Sequence, residues 1–283
     1  MENLHRKHFL IQDIMKYIDL HNRLKEVINY GSSEIIVDEK TVVQNFDFES
    51  KYSSLIMRED QENYKAFIEQ YEPYVIQPML YKNDAEIIEN TRFRYFILRP
   101  AGKEKVKGII FMFHGFNEKH WNKYLTWAKR LVDETGKAVV FFPIAFHMNR
   151  APLSWSDGHQ MYAISQKRRM IYPDVINSTL SNAAISIRLH IKPQRFIWSG
   201  LQSYYDVLDL VKQIKADLHP SIDKDAGIDF FSYSIGSLFA QIVMMTNENG
   251  YFSNSKFCLF CGGAVCNRLS PVSKFILDSE ANV

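Results

Sequence analysis

The chain is poor in cysteine. It has three, Cys258, Cys261 and Cys266, among 283 residues, too few for a disulfide scaffold. Cys258 and Cys261 form a C-x-x-C, but a strand is expected over 256–261, and residues three apart on a strand point to opposite faces. No second pair completes a zinc site, so the thiols are expected to be buried and structural. Long apolar runs are also absent. The longest, Gly108–Phe113 and Ala138–Phe146, fall well short of the roughly 18–20 residues a membrane-spanning helix needs. Charge of one sign is missing too. Against 34 Lys and Arg stand 32 Asp and Glu, a net +2, which is too balanced for work resting on phosphate contacts. No nucleic-acid partner is expected. The N-terminus mixes charges into its apolar residues, unlike a secretory signal, so a cytoplasmic location is expected. No phosphate loop, dinucleotide glycine fingerprint or metal-ligand spacing occurs.

What is present is an ordinary folding composition, 46% hydrophobic and 14% aromatic, incompatible with a disordered chain. Residues 5–30 carry Leu10, Ile14, Tyr17, Ile18, Leu24 and Ile28 at helical spacing. Glu34–Val37 and Thr41–Phe48 are weak strands, and Asp60–Tyr71 is a possible short helix. Residues 1–85 are therefore expected to form an α-rich extension without recognisable chemistry. From residue 86 the pattern changes. Strands are expected over Arg92–Arg99, Val106–Phe113, Lys137–Pro143, Gly227–Phe231 and Lys256–Cys261. Helices are expected over Asn122–Glu134, Tyr204–Leu218 and Ile235–Thr246. Such alternation predicts an α/β fold, a mostly parallel central sheet with helices on both faces. Residues 147–198 break the rhythm and read as an irregular insertion or cap. The basic run Lys167-Arg168-Arg169 within it reads as a solvated face.

One segment carries chemistry. Ser232-Tyr233-Ser234-Ile235-Gly236 falls between a short buried strand and an amphipathic helix. A serine on such a tight strand-to-helix turn crowds the residues two before and two after it, which must be small, hence the usual G-x-S-x-G. Here Ser232 and Gly236 stand there, and Ser234 is the candidate nucleophile. The helix beginning at Ile235 points free amides and its positive end at the site. A second segment supports the first. The strand ending at Phe113 runs into His114-Gly115-Phe116-Asn117. Gly115 lets the backbone approach a substrate oxygen, and an N–H of Phe116, with Asn117 next, would join that of Ile235 as an oxyanion hole.

With these two motifs in this order, residues 90–263 resemble the α/β-hydrolase superfamily on its esterase and lipase side. The resemblance implies a Ser nucleophile, a general-base His, an orienting Asp or Glu, a small-molecule or acyl substrate and no cofactor. It also implies a chain order of Ser, acid, His. This chain departs from that order. Of its nine histidines none follows Ser234, and Asp278 and Glu280 are the acids of the tail after the last strand. Three explanations stay open. The C-terminal part carrying acid and base is missing from the chain; a histidine from elsewhere serves, His147 being the best placed, after a strand at its C-terminal end; or the protein keeps the fold as a non-catalytic binding or interaction protein. His114 is read as support for the oxyanion loop. A serine without a base is a poor nucleophile, so the first two explanations require a histidine that the third does not.

Overall fold

The computed structural model describes residues 16–52, 84–171 and 194–262, together with Pro173, Leu180, Ile185 and Leu189. Residues 16–27 form a helix, α1. Two strands follow, β1 (Glu34–Asp38) and β2 (Thr41–Glu49). One turn of helix, Ile88–Thr91, leads into β3 (Arg92–Pro100), β4 (Val106–Phe113), α2 (Asn122–Thr135) and β5 (Ala138–Phe141). Then come α3 (Gly158–Ile171), α4 (Gln194–Lys215), β6 (Ile222–Tyr233), α5 (Ile235–Thr246) and β7 (Phe257–Phe260).

The seven strands make one sheet in the order β1-β2-β3-β5-β4-β6-β7. It is mixed, not mostly parallel: β1, β2, β3 and β5 pair antiparallel in turn, whereas β5, β4, β6 and β7 run parallel. Side-chain alternation reports which face of a strand is buried and carries no information on strand direction, so the pattern of residues could not distinguish the two. Residues 34–49, expected inside an α-rich extension, supply two strands of this same sheet. Strand β2 lies against β3 along its whole length, from Thr41 opposite Pro100 to Glu49 opposite Arg92. The helix expected at Asp60–Tyr71 lies outside the described residues.

Helices cover both faces. Strand β4 turns Ile109, Phe111 and Phe113 toward one side, where they pack with Val207, Leu210 and Val211 of α4 and Phe239 and Val243 of α5. It turns Ile110 and Met112 to the other, against Leu24 of α1 and Tyr124, Leu125 and Ala128 of α2. Strands buried on both faces read as near-continuous apolar runs, which is why β4 and β5 were legible. A smaller cluster of Ile87, Phe146, Trp155, Met161 and Ile164 sits where the 147–171 segment closes over the end of β5.

Two expected boundaries move. Helix α4 begins at Gln194, ten residues before the expected Tyr204; Ser199, Gly200 and Ser203 in its first turns hid the start, since that composition does not look helical. Strand β6 begins at Ile222 instead of Gly227. The polar residues of Asp223-Lys224-Asp225 hide two buried positions, Ile222 and Ala226. The cysteine expectation fails. Cys258 and Cys261 are exposed free thiols, on and just after β7, which ends the sheet among the described residues. Cys266 lies outside the described residues.

Against Tyr95 of β3 and Phe46 of β2 lies His219, 4% exposed. The Ser221 amide donates to its Nδ1 at 3.1 Å, which places the ring proton on Nε2, facing the Tyr95 hydroxyl at 3.1 Å. Burial, with Lys105 and Arg99 nearby, lowers its pKa to about 4. A proton on Nδ1 would break the Ser221 bond. The unfolded chain therefore takes up a proton near pH 6.5 that the folded chain refuses until about 4, so this group favours the native state above 6.5 and loses that contribution as pH falls through the window. Between pH 7 and 5 this corresponds to on the order of 1–2 kcal/mol. Urea denaturation is expected to show the wild type losing that much more stability over this interval than His219→Gln. Parallel losses would remove His219 as the cause.

Candidate functional site

The site forms where β4, β5 and β6 end on the same side of the sheet. Ser234, between β6 and α5, has φ 54° and ψ −119°, a backbone conformation that few non-glycine residues adopt and that costs of order 1–3 kcal/mol. The neighbouring chain over-determines it. The Ser234 amide donates to the Phe260 carbonyl of β7 at 3.1 Å, and the Ser237 amide to the Ser234 carbonyl at 2.8 Å. A Cβ on Gly236 would lie 2.7 Å from the His114 carbonyl oxygen and 2.8 Å from Phe113 Cβ. The turn after β6 is thus pressed onto the end of β4. Ser232, two residues before, is fully buried, and its hydroxyl meets no hydrogen-bond partner among the described residues.

The β4 end is equally constrained. The His114 ring is fully buried. The Ile144 amide donates to Nε2 at 3.0 Å, so Nδ1 carries the proton and donates to the Gly115 carbonyl at 2.8 Å. Desolvation holds its pKa well below the ordinary histidine value, and the ring stays neutral as a staple between the β4 and β5 loops. The Gly115 amide is occupied by the Tyr124 hydroxyl at 2.8 Å. A Cβ there would sit 2.9 Å from the Tyr233 ring, so Gly115 provides close packing, with its N–H turned to Tyr124. Phe116 and Asn117 form the turn beyond it, Asn117 with φ 56°. Glu118 pairs with Lys123, whose ammonium stands 3.9 Å above the Tyr233 ring.

His147 follows β5 between two strained neighbours, Phe146 at φ 63° and Met148 at φ 50°. Its Nδ1 donates to the Ala145 carbonyl at 2.9 Å, the tautomer that leaves the lone pair on Nε2. Its ring centre is 5.2 Å from that of His114 and 5.6 Å from that of Phe116. Asn117, Phe146, Met148 and Ser234 are thus four non-glycine residues with positive φ at the ends of three parallel strands, and such strain concentrates at functional sites.

A cavity of about 390 Å³ opens here, lined by Phe116, Asn117, His147 and Ile235 and by residues of α4 and α5. Of the sequence-predicted site residues, these four border one space. Ser234 stands immediately before Ile235, and Gly115 supports the loop from behind. Reading the sequence missed Tyr124, which fixes the Gly115 amide; its position in the first turn of α2 is the one available signal. It also missed the wall built by α4, whose first turns did not look helical. Buried pairs frame the back of the site. Arg150 donates to Asp206 at 2.7 Å and Arg195 to Asp84 at 2.9 and 2.7 Å. Among the described residues, no three His, Cys, Asp or Glu side chains converge on a metal-sized site, and no helix is long and apolar enough to cross a membrane. Asp278 and Glu280 lie outside the described residues.

A family model described as "Family of unknown function (DUF6051)" matches residues 15–283. The chain belongs to this family. No curated protein matches it. Two solved structures overlay weakly on this DUF6051 member. One is a cold-adapted esterase from an Arctic intertidal metagenomic library, 8% identical, with TM-score 0.38 over 81% of this chain and 65% of the esterase. The other is a putative acetyl xylan esterase from Bacteroides fragilis, 12% identical, with TM-score 0.37 over 80% of this chain and 49% of the other. The chain therefore spans less than two thirds of either protein's length.

The packing of Gly236 yields a local test. Gly236→Ala forces a methyl group into backbone and is expected to destabilise the fold by about 1–3 kcal/mol. Ser232→Ala removes a buried hydroxyl that meets no partner among the described residues and is expected to leave stability unchanged or raised by about 1 kcal/mol. Urea midpoints of the two variants should move in opposite directions or differ by at least the alanine penalty at Gly236.

Proposed function

We propose that this DUF6051 protein is a serine hydrolase of the α/β-hydrolase type that cleaves esters or related acyl substrates through a Ser234 acyl-enzyme. The observation that carries the reading is the backbone of Ser234. Its positive φ at the junction of a central strand and a helix is costly, and the turn places a hydroxyl at the sheet's end beside a helix N-terminus.

In this mechanism His147 Nε2 takes the Ser234 proton as Oγ attacks the acyl carbon. The carbonyl electron pair moves onto oxygen, and the amides of Ile235 and Phe116 receive the oxyanion, with Asn117 shaping the turn. Ile235 N–H supports this role, since as the first residue of α5 it has no intrahelical acceptor. Collapse of the intermediate breaks the bond to the leaving group, which takes the proton from His147. Water, deprotonated by the same ring, then releases the acid and restores Ser234. The Ala145 carbonyl takes the place of an orienting carboxylate on Nδ1. A carbonyl holds the tautomer but stabilises an imidazolium less than an anion does, so slow turnover is expected.

The test is a fluorophosphonate probe on the intact protein. Labelling that disappears in Ser234→Ala supports the enzyme. A folded protein that resists labelling would instead be a binding protein that keeps the fold. His147→Ala is expected to reduce kcat/KM on p-nitrophenyl esters by roughly 10²–10⁴. An unchanged value would place the base on another residue.

A further inference from the structure

The cavity has a shape and a chemistry that the hydrolase reading does not specify. One wall is a single stripe of α5: Ile235, Leu238, Phe239, Ile242 and Thr246, spaced as one helical face. At 1.5 Å per residue the stripe runs about 16 Å from the residue after Ser234. The facing wall is the start of α4, including Phe196, Ile197, Gly200, Leu201 and Tyr204. Several of these apolar side chains are open to solvent, Ile197 at 62% and Ile242 at 44%, and exposed apolar clusters of this kind mark ligand grooves.

Three of the polar groups in these walls are already occupied. Arg195 is held by Asp84. The Ser199 hydroxyl donates to the Ala145 carbonyl at 2.8 Å, and the Thr246 hydroxyl to the Ile242 and Val243 carbonyls. A sugar placed along α5 would need protein partners for its hydroxyls wherever it displaces water. An aliphatic chain would not.

Gly200 is the odd residue of the wall. Glycine is unfavourable inside a helix, and among the described residues no packing requires it: its φ is not in the left-handed region, and a Cβ would meet none of them within 4 Å. The missing side chain leaves open cavity instead.

We infer that the slot between α4 and α5 binds the acyl chain of a medium-chain ester, of about eight to twelve carbons, and that Gly200 sets its depth. This rests on the serine-hydrolase reading for turnover, though not for binding. The volume, about 390 Å³, lies in the range of small-molecule clefts, and the α5 stripe gives the slot the length of an extended chain. Gly200→Phe, or Gly200→Leu should the larger ring disturb the helix, fills the slot from one wall and leaves Ser234, His147 and the residues of the proposed oxyanion amides unsubstituted.

Two readouts test it. On a p-nitrophenyl ester series the wild type should prefer decanoate to acetate. Gly200→Phe should lose at least about tenfold in kcat/KM on decanoate and stay within about twofold on acetate. By calorimetry, Ser234→Ala should bind sodium decanoate and not sodium acetate, and adding Gly200→Phe should abolish that binding. Circular dichroism checks that each variant is folded. Decanoate binding without ester turnover or fluorophosphonate labelling would overturn the hydrolase reading and keep the chain slot. Turnover with no chain-length preference, or a preference that both Gly200 variants leave unchanged, overturns the slot and keeps the hydrolase.

Discussion

A Cβ at residue 236 would come within 2.7 Å of the His114 carbonyl oxygen, and the site is built around this contact between two strand ends. It allows the turn after β6 to press onto the end of β4. It also leaves Ser234 little choice but a left-handed backbone, because β6 is pinned to β4 by paired positions up to Phe113 and Ser232, while α5 must bury Phe239, Ala240 and Val243 on the same sheet face. Strain of a few kcal/mol at one residue is small beside the burial of those side chains.

From that contact the constraint spreads laterally. His114 supplies the carbonyl that meets Gly236, and its ring ties the β4 loop to the β5 loop through the Ile144 amide. Ile144 begins the turn that presents His147, which Ala145 orients through its carbonyl while Ser203 holds the Ala145 amide at 2.8 Å. Ser203 belongs to α4, the helix that also walls the cavity. Three loops and one helix are therefore coupled through hydrogen bonds between buried groups, and such networks are rigid only when every member is satisfied. A histidine that stays neutral suits this linkage, since a charged ring would give up its acceptor and break the staple.

Much of the architecture was legible in the residues. The apolar runs of β4 and β5 and the striped faces of α2 and α5 follow directly from burial on two faces or one, and their expected limits fall within a few residues of those observed. The segment Ser232–Gly236 and the His114–Asn117 loop were visible because small residues at fixed offsets have a steric cause. The mixed sheet was not visible. Nor was the membership of residues 34–49, since pairing β2 with β3 joins segments some forty residues apart and nothing local encodes that partner. The start of α4 was hidden for another reason: its serines and glycine face a cavity and one another, so the usual helical stripe is missing.

The amino-acid sequence by itself determined which segments form elements, which faces they bury, and where a serine could be held in a tight turn, because propensity, periodicity and side-chain size act locally. Only the tertiary structure decided what surrounds that serine. The approach of β4 to β6, the Ala145 carbonyl that sets the His147 tautomer, the Tyr124 hydroxyl that claims the Gly115 amide, and the open space beside Gly200 all arise between residues distant in the chain. Their geometry depends on the packing of whole elements against the sheet, a property that no window of neighbouring residues contains.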